Sequence, residues 1–317
     1  MSRGNLLGRT ALITGAARGI GAETARRLVA LGANVVLVGL EPERLAALAD
    51  ELGSGRAGWA EADVVDEHAL AQAVELAISK FGRLDIAIAN AGLHFVGALA
   101  SAPQGQLERE LVVNLHGTLL TDRAVLPALT ESRGYLLNIA SLAAVTHLPL
   151  MGAYSASKAG VEALTNCLRA EIAYTGVDVG CAYLGFFDTD LVRGSFAHRS
   201  SGELIDTMPA AVVRPRPIEV AVDAIVHGVL ARKKRVWAPR FVGPVLALRG
   251  ILQPLVDYRN THSRAVGAAA RLASTDRATR SEREMLLGVA AQACSPQDDA
   301  STESESRADG PDSATMA

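Results

Sequence analysis

The run Gly15-Ala16-Ala17-Arg18-Gly19-Ile20-Gly21 constrains this chain more than any other stretch. It is entered from Thr10-Ala11-Leu12-Ile13-Thr14, which is short, apolar and bounded by turn formers, the pattern of a buried strand. It leaves into a helical pattern of Ala25, Leu28 and Val29 that ends at Gly32. Strand, glycine-rich turn and helix in that order make a cradle for a pyrophosphate. Glycines let the backbone approach closely, and the helix N-terminus offers free N–H groups and a favourable dipole. The spacing is Gly-x-x-x-Gly-x-Gly rather than the general Gly-x-Gly-x-x-Gly fingerprint. The plainer alternative is a tight turn with incidental glycines.

The same alternation continues along the chain. Apolar runs recur at Val35–Val38, Leu84–Ala89, Tyr135–Ala140 and Val177–Leu184, with a further strand ending at Trp59-Ala60-Glu61-Ala62 and a last one at Val236–Ala238. Helical patterns lie between them, at Glu43–Leu52, Glu67–Phe81, Gln106–Leu129 and Ala153–Tyr174. Short apolar strands alternating with helices predict an α/β fold, a doubly wound parallel sheet (Rossmann-like) with helices on both faces. Such a sheet places its ligand crevice at the carboxyl ends of its strands.

Chemistry is concentrated in Tyr154-Ser155-Ala156-Ser157-Lys158 and in Ser141 upstream. A phenol titrates near pH ~10 and becomes a usable acid or base only when its anion is stabilised. A Lys at i+4 lies on the same helix face, within reach to favour the phenolate. The Ser141 hydroxyl, at the end of an apolar strand, is placed to hold a substrate oxygen beside that phenol. Alone, a Tyr-x-x-x-Lys pair is weak evidence, because an exposed aromatic with a solvated Lys has the same spacing.

Taken together these motifs resemble the short-chain dehydrogenase/reductase family in its compact single-domain branch. The residues that carry the resemblance are Thr14 with Gly15, Gly19 and Gly21; Asp63; Asn90-Ala91-Gly92; Asn114; Ser141; and Tyr154 with Lys158, in family order from about residue 7 to residue 235. The resemblance implies an NAD(P)-dependent oxidoreductase interconverting a secondary alcohol and a ketone. It implies Asn114, Ser141, Tyr154 and Lys158 as the catalytic residues, with Lys158 lowering the Tyr154 pKa and Asn114 freeing a backbone carbonyl at a local kink. Thr14, Gly15, Arg18, Gly19, Ile20 and Gly21 line the phosphate turn. Asp63 and Val64 sit at the adenine, and Asn90, Ala91 and Gly92 lie along the dinucleotide. Tyr154 and Lys158 lie at the ribose, and Phe187 and Thr189 at the carboxamide. Asp63 reads alternatively as a helix cap, Asn90-Ala91-Gly92 as an ordinary turn, and Asn114 as a buried amide bonded to a neighbouring segment. Where the family usually has Pro this chain has Leu184, which predicts a more mobile loop over the nicotinamide.

The cofactor is NADP or NAD. Gly39 stands where an NAD reader carries its ribose-binding acid, and Arg18 is available to a 2′-phosphate; Leu40 and Glu41 argue the other way. The balance tilts slightly to NADP. Phe186, Phe187, Leu191, Phe196 and Met208 are the expected substrate wall, which suggests a small lipophilic substrate.

The C-terminal third is the least family-like. Arg232-Lys233-Lys234-Arg235 precedes the last strand, and Phe241–Val256 is apolar on nearly all sides but broken by Pro244 and Pro254. It reads as core packing, as a lid, or as a peripheral membrane contact with the basic cluster facing anionic headgroups. The expected organisation is a catalytic domain over 1–239, a helical extension over 240–292 and a disordered acidic tail over 293–317.

A net charge of −3 gives no reason to expect nucleic acid. Three cysteines, Cys167, Cys181 and Cys294, show no paired spacing, so neither a disulfide framework nor a metal site is indicated; Cys167 and Cys181 read as packing residues. No signal-peptide core or membrane span is apparent, which makes the cytoplasm the default, with membrane association open. The family resemblance implies a homo-oligomer paired through the two long helices, Gln106–Leu129 and Ala153–Tyr174. Two rival classes remain: a non-catalytic dinucleotide sensor, and a protein whose main business is the membrane contact of 241–256.

Overall fold

In the computed structural model, residues 5–103, 105–205 and 208–273 are described. The sheet has seven strands, all parallel, in the order β3-β2-β1-β4-β5-β6-β7. The first half runs β1 (Thr10–Thr14), α1 (Gly19–Ala30), β2 (Asn34–Gly39), α2 (Pro42–Leu52), β3 (Ala57–Glu61) and α3 (Glu67–Phe81). It continues with β4 (Ile86–Ala89), α4 (Gln106–Leu111), a π-helical turn (Val112–His116) and α5 (Gly117–Ser132). Then come β5 (Tyr135–Ile139), α6 (Gly152–Glu171) and β6 (Asp178–Leu184). Three short helices follow, α7 (Asp190–Phe196), α8 (Arg199–Ile205) and α9 (Ala210–Val213), and the fold closes with α10 (Ile218–Leu230), β7 (Arg235–Ala238), α11 (Val242–Thr261) and α12 (Arg264–Ala273).

Strand periodicity divides the core in two. Ile13, Val35, Leu37, Ile88 and Leu137 point to the face covered by α1, α2 and α10, where they meet Ala25, Leu28, Leu45 and Ile225. Leu12, Val36, Val38, Ala87 and Leu136 point to the opposite face and meet Ala73, Ala77, Val125 and Leu129 of α3 and α5. With both faces buried the strands read as continuous apolar runs, which is why alternation was not needed to find them. Order reverses between β1 and β4, so the crevice of this sheet lies beyond the C-terminal ends of those two strands.

The expected single helix over 106–129 is instead two helices joined by the π turn. The insertion has a local cause. Asn114 is fully buried, and its side chain accepts from Leu93 N–H (2.8 Å) and donates to Leu93 C=O (2.8 Å) and to Ser157 Oγ (3.1 Å). The Thr118 hydroxyl donates to the Asn114 carbonyl at 2.7 Å. A widened turn lets that side chain face the neighbouring loop. Cys167, expected as a packing residue, is exposed on α6, whereas Cys181 is buried in β6.

The segment 241–256 belongs to α11, and one side of it is packed. Val242 is fully buried against Val161, Cys181 and Tyr183. Arg249 donates to Glu162 (2.7 Å), and His147 N–H donates to Gln253 Oε1 (3.0 Å). Helix α12 packs on α8: Ala269 clusters with Leu150 and Leu204, and Val96, Ala98 and Met208 line the same cluster. The whole of the expected tail, with Cys294 and the end of the helical extension, lies outside the described residues.

Candidate active site

The phosphate turn is built by backbone contacts that only small residues permit. Gly15 has φ +63°, and a Cβ there would sit 2.8 Å from Ala91 Cα; a Cβ on Gly21 would overlap Gly15 O. Helix α1 starts with no capping side chain and no acid in its first turn, leaving its leading N–H groups and dipole for an anion. The turn is bolted to the end of β4. Thr14 Oγ1 accepts from the N–H groups of Asn90 and Ala91, both at 3.0 Å, and Asn90 Nδ2 donates to Thr14 O (2.9 Å) and Gly15 O (3.2 Å). Ile20 packs against the core behind the turn.

Gly39 ends β2, where its missing side chain leaves 3.8 Å to Ala17 and Leu45. Arg18 does not wait there as a free cation. Its Nε lies 2.9 Å from Glu41, which Arg44 also holds at 3.0 Å, and its Nη1 is 3.4 Å from Asp190. Asp63 accepts from Arg109 of α4 at 2.6 Å and from Val65 N–H at 3.2 Å, while Val64 is buried beside Gly117. The helix cap read as an alternative for Asp63 is made by Asp66, which accepts from His68 and Ala69 N–H.

Beyond β5 the polar side chains converge. Ser141 lies at the C-terminal end of β5, is largely buried, accepts from Ala143 N–H (3.1 Å) and donates to Leu184 O (3.2 Å). Lys158 is almost fully buried on α6, donates to Ile139 O at 2.9 Å, and stands 5.8 Å from the centre of the Tyr154 ring. A Cβ on Gly92 would lie 3.0 Å from Asn114 Oδ1 and 3.4 Å from Lys158 Nζ, so that glycine lets the loop close on both. The electrostatics correct one expectation. Burial pushes the Tyr154 phenol up to about 12, with the neighbouring Ser141 hydroxyl drawing it down and Glu110 pushing it further up. Burial likewise lowers Lys158 to about 8. In the protein alone, desolvation outweighs any help the ammonium gives the phenolate.

The nicotinamide-side segment is fixed by other means than expected. Phe187 is buried in the sheet core with Leu184 and Ala221, so it is not part of the expected substrate wall. Asp188 N–H donates to Arg216 O (2.9 Å) and Arg216 N–H to Phe186 O (3.0 Å), tying down the loop whose mobility Leu184 suggested. The Thr189 hydroxyl caps α7 by accepting from Val192 N–H at 3.4 Å, and its methyl faces Gly19. Phe186 and Phe196 pack with ring centres 5.5 Å apart.

Two residues at the site escaped the sequence reading. His94 packs against Tyr154 with the rings tilted by 50° and their centres 4.5 Å apart, and its Nδ1 is 3.0 Å from the fully buried carboxylate of Glu110. A signal existed: Glu110 precedes Asn114 by one helical turn, and His94 follows the small-residue loop directly. Neither belongs to a motif, and their pairing is visible only in three dimensions.

A family model described as short chain dehydrogenase matches residues 9–200. An uncharacterized oxidoreductase of Staphylococcus saprophyticus is 37% identical over 187 residues, covering 58% of this chain and 80% of that protein. Dehydrogenase/reductase SDR family member 7B of Bos taurus is 32% identical over 234 residues, covering 71% of each. The crystal structure of 3-ketoacyl-(acyl-carrier-protein) reductase from Brucella melitensis, complexed with NADH, superposes with TM-score 0.66 at 27% identity, over 74% of this chain and 98% of that one.

Proposed function

The chain belongs to the short-chain dehydrogenase family, and on that premise we propose that it interconverts a secondary alcohol and a ketone with a nicotinamide dinucleotide. The observation that carries this reading is the convergence of Ser141, Tyr154 and Lys158 beyond β5, beside a turn that fits a pyrophosphate. The uncapped N-terminus of α1 and the space kept clear by Gly15 and Gly21 are the features such a cofactor requires. When bound, the dinucleotide supplies or accepts the hydride.

The chain's own residues do the rest. Ser141 holds the carbonyl oxygen of the ketone and polarises it. Tyr154, whose proton is kept by burial, delivers that proton to the oxygen as charge develops there. Lys158 lies beneath the phenol and offsets the negative charge left on it. The Ile139 carbonyl holds Lys158, and Asn114 holds the loop at Leu93 in register. Ketone reduction uses the protonated phenol, and alcohol oxidation uses its anion. A non-catalytic sensor has no use for this proton donor.

The dinucleotide is NADP or NAD. The neutral Gly39 tilts the choice to NADP, and Glu41, clamped by Arg18 and Arg44, opposes that tilt. The substrate is lipophilic, walled by Phe186, Leu191 and Phe196. The test is reduction of a panel of lipophilic ketones with each reduced cofactor, followed by nicotinamide absorbance; no turnover of any ketone contradicts the reading.

A second reading concerns α11. Its outward face carries Leu248 (50% exposed), Ile251 (67%), Leu255 (62%) and Tyr258 (68%), spaced as one helical stripe. Arg240 and Arg259 are exposed at its ends, and the single acid of the helix, Asp257, is engaged by Gln253. No helix among the described residues is long and apolar enough to cross a membrane. An apolar stripe flanked by cations matches an anionic lipid surface, on which the helix would lie flat. Flotation with phosphatidylserine vesicles, but not with neutral ones, is the expected result. A stripe occupied by a second copy gives a dimer that Leu255→Ser dissociates and no flotation, a contact separate from the homo-oligomer expected through the two long helices.

A further inference from the structure

Glu110 is the most costly side chain in the catalytic half. It is fully buried on α4, its Oε1 accepts from Phe95 N–H (3.1 Å) and faces His94 Nδ1 (3.0 Å), and its Oε2 has no partner. A buried carboxylate with so few donors is expensive unless a charge or a strong hydrogen bond compensates it. The compensating group is His94, itself nearly buried, whose ring lies against the reacting phenol at 4.5 Å. With Nδ1 committed to Glu110, the imidazole has its orientation fixed, and Nε2 has no hydrogen-bond partner among the described residues. Carboxylate, imidazole and free ring nitrogen in line is the arrangement by which a carboxylate aims a histidine at something else. Beside Tyr154, that something is the substrate.

We propose that His94, aimed by Glu110, anchors a second oxygen of the substrate next to the reacting one. This rests on the ketone-reductase reading above and narrows its substrate class. The favoured compound is not a plain lipophilic ketone but one with a further carbonyl, carboxylate or hydroxyl oxygen close to the reacting carbon, such as a 3-keto ester or a hydroxyketone. Ring contact with Tyr154 sets that closeness, since one substrate must reach both groups at once. Doubly protonated, the imidazole donates through Nε2 to a carbonyl or carboxylate; singly protonated at Nδ1, it accepts from a hydroxyl. Glu110 is a positioning residue, and its carboxylate acts only through the histidine. A merely structural pair would instead pin the loop at Leu93–Phe95 to α4 and treat all substrates alike.

The test compares ethyl 3-oxobutanoate with 2-heptanone, using the ratio of kcat/KM for the two so that intrinsic reactivity cancels between variants. In His94→Leu the ratio should fall about 10-fold or more relative to wild type, the size of one hydrogen bond lost from a buried site. His94→Gln, which keeps a donor and an acceptor, should recover most of it, and Glu110→Gln should lie between. Equal losses on both ketones, or no change in the ratio, overturn the anchor. Should His94→Leu not fold, His94→Gln and Glu110→Gln decide: a ratio in both unchanged from wild type, with altered melting temperature, overturns it. Failure of wild type to reduce either ketone with either cofactor counts against the reductase reading itself. Turnover of both with an unaltered ratio removes the anchor alone.

Discussion

The dinucleotide half of the crevice and the substrate half are built on different principles. From β1 to β4 the site is shaped around the main chain: the Thr14 hydroxyl and the Asn90 amide each bond main-chain atoms of the facing segment, and Gly15 and Gly21 leave no room for a Cβ. Beyond β5 it is almost all side chain: Ser141, Tyr154, Lys158, Asn114, His94 and Glu110, most of them buried and several strongly perturbed. Backbone cradles serve one conserved chemistry, the pyrophosphate, and tolerate little change. Side-chain clusters can be retuned one residue at a time, which suits the proposed substrate side.

That contrast can be broken. The largest loss outside the catalytic groups should come from Gly21→Ala, because the new Cβ meets the rigid backbone of Gly15. Overpacking of this kind costs about 1–3 kcal/mol, so dinucleotide affinity should fall roughly 10–100-fold by fluorescence titration. In Phe186→Ala that affinity should hold while KM for bulky ketones rises. If Gly21→Ala binds cofactor normally, the backbone account of the first half is wrong.

Next in size is the cofactor ratio. Gly39→Asp places a carboxylate at the end of β2 and should weaken NADP over NAD by about tenfold, the worth of roughly 1.4 kcal/mol. Glu41→Gln should move the ratio the other way while releasing Arg18. Equal losses for both cofactors would place the reading of the ribose elsewhere.

The smallest effect sharpens the comparison within the core. Asp122 of α5 is buried, accepts from Asn138 at 2.9 Å, and burial pushes its carboxyl up to about 7 from 3.8. The fold thus keeps a proton that the unfolded chain releases, so stability falls as pH rises from about 4 to about 7 and is level above. Asp122→Asn should flatten that slope and raise the melting temperature at pH 8 by a few degrees, on the order of 1 kcal/mol or more. An unchanged melting profile would show that Asp122 is ionised in the fold.

These two halves were also unequally legible in the sequence. The strands β1, β2, β4 and β5 and the helix α3 stand out because doubly buried strands are uninterrupted apolar runs and because glycines mark their ends. Asp66 and Gly82 bracket α3 in the same local way. The turn at Gly15–Gly21 and the Tyr154–Lys158 pair are legible since their geometry follows from spacing within one element. The kink at Asn114 is expected only from the family resemblance; its local cause, the bonding to Leu93, lies on another segment and is not legible from spacing. The Glu110–His94 pair, the bond from Arg18 to Glu41 and the capping by Thr189 are hidden for the same reason. The phenol's upward shift is hidden too, since spacing shows the nearby Lys and not the desolvation that outweighs it.

The central claim, that Tyr154 is the proton donor of a nicotinamide-dependent reductase, is tested most directly by Tyr154→Phe. Removing only the hydroxyl, the change should leave dinucleotide affinity within severalfold of wild type while ketone turnover drops by about 10²–10⁴, the range of a positioned acid. Turnover within a few-fold of wild type, with cofactor still bound, would contradict it.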